Sequence, residues 1–169
     1  MTQCALVAIE TFHGSRLDLL PLFEQADDSP TEIRSYIELG DVLVARRDQR
    51  IVGHVQITEA GVDREIKSVA VIESERGLGI GAALVRAALE LVFAAGVRRA
   101  VVATATADTD NLRFYQRLGF KMDRIERDVF TVERGYPAST VNGIALRDRI
   151  WFSMESAEFY EGRLRNASA

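Results

Sequence analysis

Between Glu75 and Leu84 the chain reads "ERGLGIGAAL", with three glycines at alternate positions directly before an alanine-rich run. Glycine loses more conformational freedom on folding than any other residue. Such a series needs a compensating reason: positive φ, or the close approach of a ligand to the backbone. Before it, "REIKSVAVIES" reads as a strand from about Glu65 to Ile72. After it, "GIGAALVRAALELVFAAG" reads as a helix with Leu84, Val85, Ala88, Leu91 and Val92 on its buried face and Gly96 as its cap. A strand passing into a helix through a glycine loop points to an α/β architecture with backbone N–H groups gathered at a helix start.

Four readings of the loop compete. Gly77, Gly79 and Gly81 could simply make a turn and let a helix pack closely on a sheet, although a helix opening on several glycines is a poor one. Gly77, Gly79 and Ala82 satisfy the loose dinucleotide fingerprint G-x-G-x-x-A, but Glu73 to Arg76 separate the strand from the first glycine. The next strand, moreover, carries no acidic residue at its end before Asp108. A Walker A loop fails because no Gly-Lys-Ser/Thr follows. The fourth reading joins Arg76 to the glycines: outward N–H groups, a positive helix end and a guanidinium suit a pyrophosphate.

The rest of the chain fits one strand-rich α/β domain over residues 1–169. "CALVAI" (Cys4 to Ile9) is predicted as a strand, "SRLDLLPLFEQA" as a helix broken or started at Pro21, and "SPTEIRSYIEL" as a helix opened by serine and proline and ended by Gly40. "DVLVARR" and "IVGHVQITEA" form a hairpin about Asp48 to Arg50. "RRAVVATAT" is a buried strand and "DTDNLRFYQRLG" a short helix opened by Asp108 or Asp110. "FKMDRIERDVF" is a strand, the segment from Thr131 to Leu146 is turn-rich, and "RDRIWFSME" is the last strand. The final residues are expected to be a disordered tail.

Composition narrows function. Hydrophobic content of 47% with 27% charged residues is ordinary for a soluble domain. The single cysteine, Cys4, and two histidines leave no Cys/His metal set, and the lone thiol favours a reducing, cytoplasmic setting. No run of about 18 apolar residues is present, and the first residues lack a signal-peptide pattern. A net charge of -4 argues against nucleic acid and anionic membranes as partners.

The pattern R-x-x-G-x-G from Arg76 to Gly81, after a strand ending "SVAV", resembles the acetyl-CoA-binding signature of the GNAT superfamily of N-acetyltransferases. Further on, "NLRFYQRLGF", Asn111 to Phe120, is similar to that family's N-x-x-x-x-Y-x-x-x-G-F segment. The resemblance implies the GNAT fold, a central and mostly antiparallel sheet flanked by helices, and direct transfer of acetyl from acetyl-CoA to an amine without a metal. It implies that Arg76, Gly77, Leu78, Gly79, Ile80, Gly81 and Ala82 hold the cofactor pyrophosphate. Val69, Ala70 and Val71 would offer main-chain groups to pantetheine. Asn111 would contact pantetheine or another part of CoA, its ordinary alternative being helix capping. Tyr115, on the same helix face as Asn111, would be the general acid and Glu65 the base working through water.

A small-molecule amine is the expected acceptor. A protein or peptide amino group and a non-catalytic acetyl-CoA sensor remain as alternatives. Acceptor choice is assigned to Leu17 to Leu39 and to Thr131 to Leu146, where Tyr136 and Asn142 either line the site or form turns. His54 is read as structural. A homodimer is expected, with "RIWFSM" near an exposed sheet edge.

Overall fold

The first helices start where proline and serine direct them. In the computed structural model, which describes residues 7–167, strand β1 (Ala8–Thr11) is followed by a 3-10 turn, Arg16–Leu19. Helix α1 (Leu20–Ala26) then takes Pro21 in its first turn, where a missing N–H does no harm. Helix α2 (Pro30–Tyr36) is capped by Ser29, whose hydroxyl accepts from the Glu32 N–H at 3.3 Å. It stops at Tyr36, short of Gly40. The part of the predicted first strand before residue 7 lies outside the described residues.

Strands β2 (Asp41–Arg47), β3 (Arg50–Ala60) and β4 (Asp63–Val71) come next, then helix α3 (Ile80–Ala94). The β2–β3 turn holds Asp48 and Gln49 at φ of 48° and 66°, the left-handed pair that matches the twist of a tight hairpin. They are followed by β5 (Arg99–Ala105), α4 (Thr109–Leu118), β6 (Lys121–Glu126), a small hairpin of β7 (Thr140–Val141) and β8 (Ile144–Ala145), β9 (Arg149–Glu155) and α5 (Ser156–Ala167).

The chain forms two compact units, one from the residues up to Thr58 with Ile66–Glu90, the other from Glu59–Glu65 and the residues from Leu91 on. In the first unit the strand order is β1-β2-β3-β4, with β1/β2 and β2/β3 antiparallel. Its core gathers Leu19, Leu22 and Phe23 from the first helical segments, Ile33, Tyr36 and Ile37 from α2 and its end, and Val42, Val44 and Ala70 from the strands. Polar groups are buried with them. Gln56 donates to the carbonyls of Tyr36 at 2.7 Å and Leu39 at 2.8 Å, so a β3 side chain satisfies the end of α2. His54, fully buried, lies 4.3 Å from the Phe23 ring and pairs with Ser68 Oγ through Nε2 at 2.9 Å.

In the second unit β9 pairs antiparallel with β5 on one side and β6 on the other. The last apolar strand is therefore interior, and β6 takes the place at the end of the strand order. Arg99 binds three carboxylates, those of Asp63 at 3.2 Å, Asp123 at 2.9 Å and Glu155 at 3.6 Å. Asp123 stands at the register shift of β6, an extra residue turned to this arginine.

One sequence expectation is corrected and one element is added. On α3 the buried residues are Ile80, Leu84, Val85, Ala88, Leu89, Val92 and Phe93, while Leu91 is 44% exposed. Helix α5, with Phe159 packed 5.3 Å from Phe93, is an element that sequence reading did not give; residues 168 and 169 lie outside the described residues.

Burial, aided by the Arg16 charge, pushes the His54 pKa down to about 3. The unfolded chain therefore binds a proton that the folded chain refuses. Stability is full above the ordinary histidine pKa and falls as pH drops towards 3. Thermal denaturation should show about 2 kcal/mol lost between pH 7 and pH 5 from this residue, and His54→Gln should flatten that limb. An unchanged pH slope in the variant would refute the assignment.

Candidate active site

Along β4 the side chains alternate. Ile66, Ser68 and Ala70 are buried, while Lys67, Val69 and Val71 are half-buried on the opposite side of the strand. Lys67 Nζ stands 5.0 Å from the centre of the Tyr36 ring, so it packs on an aromatic face. Glu65, in the second unit, is half-buried at the other end of the strand.

After β4 a short 3-10 turn, Glu73–Glu75, leads to Arg76. The Arg76 guanidinium donates to the Val71 carbonyl at 3.0 Å and to Gln25 Oε1 at 3.0 Å. It braces the loop against β4 and α1. Glu75 pairs with Arg47 at 2.7 Å beneath the same loop.

Gly77 and Gly79 then adopt φ of 76° and 80°. A Cβ at either would meet no protein atom within 4 Å, so the backbone conformation, not crowding, demands glycine. Gly81 lies inside the first turn of α3 with no positive φ. The Gly79 carbonyl accepts from the Ala83 N–H at 3.0 Å, which makes Gly79 the residue before the first turn. The N–H groups of Ile80, Gly81 and Ala82 consequently have no intrahelical acceptor. With the positive end of a 15-residue helix behind them, they are unpaired backbone donors of a kind suited to an anion.

The second unit holds the other motif. Asp108 caps α4, Oδ1 accepting from the Asn111 N–H at 3.0 Å, so the cap is Asp108 and not Asn111. The Asn111 amide nitrogen donates to Asp108 Oδ2 at 2.8 Å and to Thr104 Oγ1 at 3.2 Å. One turn on, Tyr115 is buried among Phe114, Phe120 and Phe152, with ring centres 5.0, 5.8 and 5.9 Å away. Among the described residues its hydroxyl has no hydrogen-bond partner. Burial first, and then the Asp108 charge, push its pKa well above the usual phenol range and keep the proton on oxygen. Among the described residues no group of three or more His, Cys, Asp or Glu is placed to hold a metal ion.

Sequence reading missed the partners of Asn111, because a threonine at the end of β5 and an aspartate before α4 carry no motif. It also missed the β7–β8 hairpin, although Asn142-Gly143 is a strong turn signal. Asn142 takes φ of 52° and its amide donates to Thr109 Oγ1 at 3.2 Å, fastening the hairpin tip to the first residue of α4. Tyr136 is buried edge-on against Phe130, 5.0 Å between ring centres.

Comparison with known proteins finds relatives in sequence and in fold. The family model described as "Acetyltransferase (GNAT) family" matches residues 12–120. An uncharacterised N-acetyltransferase of Bacillus subtilis, YvbK, is 30% identical over 144 residues, 84% of this chain and 92% of that protein. Among solved structures, an IAA acetyltransferase from Bacillus cereus superposes with a TM-score of 0.81 at 30% identity, covering 89% of this chain and 99% of that one. A GNAT acetyltransferase of Elizabethkingia anophelis, solved with acetyl-CoA bound, gives 0.82 at 25% identity over 88% of this chain and 97% of that one.

If the loop before α3 receives a pyrophosphate, Gly79→Val should strain the left-handed backbone and put a branched side chain in the open space. Calorimetry should show acetyl-CoA affinity lowered at least tenfold, on the scale of about 1–2 kcal/mol for a forced backbone. Undiminished affinity in a folded variant would remove the site from this loop.

Proposed function

We propose that this chain, which belongs to the acetyltransferase (GNAT) family, moves an acetyl group from acetyl-CoA to a primary amine of a small molecule by direct attack. The chain is an acetyl-CoA-dependent N-acetyltransferase; the acceptor class is our reading. The observation that carries the cofactor part is the start of α3, where free first-turn N–H groups follow two left-handed glycines with open space beside them. The family match from residue 12 to residue 120 draws on both compact units, which supports their working as one domain. The lone cysteine keeps the cytoplasm as the proposed setting, and among the described residues no helix is long and apolar enough to cross a membrane.

Acetyl-CoA brings the thioester. The chain's residues then have four tasks. The N–H groups of Ile80, Gly81 and Ala82 and the positive end of α3 take the pyrophosphate charge, with Gly77 and Gly79 leaving the approach clear. Main-chain groups of Val69, Ala70 and Val71 pair with the pantetheine arm. Glu65 takes a proton from the acceptor ammonium through water, so that the nitrogen lone pair can attack. As the new C–N bond forms and the C–S bond breaks, the nitrogen releases its second proton to solvent, and the Tyr115 hydroxyl gives its proton to sulfur and regains one from solvent. Burial raises the phenol's pKa and so keeps the proton on oxygen until a thiolate develops beside it. Residues 17–39 and 131–146 are proposed to select the acceptor.

The test is a panel of small amines and amino-terminal peptides with acetyl-CoA, read as free thiol released. Turnover on small amines supports the reading. Turnover on peptides alone moves the acceptor to proteins, and tight acetyl-CoA binding without turnover makes the chain a sensor. Tyr115→Phe should keep cofactor affinity and lower turnover about 100-fold, and Glu65→Gln should weaken the acidic limb of kcat/KM while leaving binding unchanged. Wild-type rates in both variants would refute the assigned roles.

We also propose that two copies pair, through β6 in place of the interior β9. Its sequence, Lys121-Met122-Asp123-Arg124-Ile125-Glu126, complements itself when set antiparallel: lysine faces glutamate, aspartate faces arginine, and the exposed Met122 and Ile125 face each other. Sedimentation should show a dimer that Arg124→Asp dissociates. A monomer mass at every concentration would disprove it.

A further inference from the structure

The chain carries nineteen arginines and only two lysines, Lys67 and Lys121. Arginine makes the same ion pairs, but its guanidinium stays protonated, whereas a lysine amine can lose a proton and become a nucleophile. The two lysines sit in unlike places. Lys121, on β6, is exposed and pairs with Glu158 of α5. Lys67 is half-buried in the middle of β4, with its Nζ 5.0 Å from the centre of the Tyr36 ring. Its charge also reaches Asp27, whose carboxylate accepts from the Ser29 N–H at 2.9 Å and from the Tyr36 hydroxyl at 3.3 Å. Side chains two residues apart on a strand share a side and stand about 6.6 Å apart. Lys67 therefore shares its side of β4 with Val69 and Val71, whose main chain is assigned to the pantetheine arm. An extended lysine side chain reaches about 6 Å, the length of that interval.

We propose that Lys67 is a self-acetylation site: with acetyl-CoA bound and no amine in the acceptor place, the Lys67 nitrogen takes the acetyl group. The proposal rests on the acetyl-CoA reading above. The Lys67 ammonium first loses a proton to solvent. Its lone pair then forms a C–N bond to the thioester carbonyl carbon, the C–S bond breaks, and the sulfur leaves with the electron pair and takes up a proton. The nitrogen releases its second proton to solvent. The products are an amide at Lys67, free CoA and one proton. Being neutral, the amide takes the cation off the Tyr36 ring and the positive charge away from Asp27. Two interactions of β4 with the segment assigned to acceptor choice are lost in one step, and they are lost when the acceptor is scarce.

The experiment incubates the full chain with isotope-labelled acetyl-CoA and follows both lysines by mass spectrometry of its peptides. Lys121 is the internal reference, because an exposed lysine reports the acetylation that acetyl-CoA gives without a binding site. The rate at Lys67 should level off as acetyl-CoA is raised and fall when free CoA is added. At the plateau it should exceed the rate at Lys121 at least about tenfold, a small part of what holding two reactants together can supply. A saturating small amine that the chain acetylates should suppress it. Lys67→Arg keeps a cation over Tyr36 and removes the nucleophile, so the saturable label should vanish from the chain.

An unmodified Lys67 overturns the proposal. So does labelling of both lysines in simple proportion to the acetyl-CoA concentration, or a saturable label that survives Lys67→Arg. Where any of these accompanies turnover of small amines, the acetyl-CoA reading stands and this proposal falls alone. A chain that binds no acetyl-CoA by calorimetry and labels neither lysine overturns both.

Discussion

The left-handed backbone at Gly77 and Gly79 is the constraint on which the first unit's chemistry depends. A strand that must turn into a helix within a few residues needs bends that an L side chain resists, and two glycines provide them at little steric cost. Once the turn is made, the start of α3 follows from it. Ile80 goes inward with Leu84, Val85, Ala88 and Leu89, and the first-turn N–H groups are left facing away from any helical partner. The polar side chains around the loop serve this geometry. Arg76 ties the loop to the Val71 carbonyl and to Gln25, and Glu75 answers Arg47 below it. The donors at this helix start are therefore backbone groups, and the hydrogen bonds of Arg76 and the ion pair of Glu75 hold the loop that presents them.

A similar division of labour holds beneath α1 and α2. Each helix has only seven residues, too few to be stable alone. The end of α2 and the turn after it are satisfied by residues distant in sequence: Gln56 on the carbonyls of Tyr36 and Leu39, and Arg16 on that of Gly40 at 3.0 Å. Burying His54 and Gln56 in an apolar core is unfavourable unless they are paired; His54 is paired with Ser68 on β4, and the pairing of Gln56 fixes where α2 ends. The segment assigned to acceptor choice is thus held by hydrogen bonds to one rigid strand, which permits its outer residues to vary without loss of the fold.

Much of this was legible in the sequence, for identifiable reasons. The glycine loop, the Ser29 cap, the β2–β3 hairpin and Gly119 closing α4 at φ of 99° are local chemistry that a few residues determine. Failures came where the answer lay elsewhere in the chain. Leu91 and Leu89 both fit an apolar helix pattern, and only the position of the packed neighbours decides that Leu89 is inside. The apolar run "RIWFSM" looked like an edge because strand order is not written in sequence, and β6 takes that place. Helix α5 follows β9 without a turn signal of glycine or proline, so its polar sequence gave no element. Asn111 was found by motif, but its orientation depends on Thr104 and Asp108, whose contribution appears only when the fold brings three side chains together.

Asp108 shows how one carboxylate can order a site without touching the reacting atoms. At the start of α4 it satisfies a first-turn N–H, and the helix dipole favours a negative charge there. Its second oxygen fixes the Asn111 amide, and its field adds to burial in keeping the Tyr115 proton in place. Neutral asparagine at this position would preserve the cap, release the amide and remove the field. The three effects therefore separate under a single conservative change. A helix cap would tolerate asparagine, serine or threonine alike, whereas holding Asn111 as an acceptor requires a group that cannot donate. Of the usual capping residues only an ionised aspartate meets both conditions, and that is the residue the chain has.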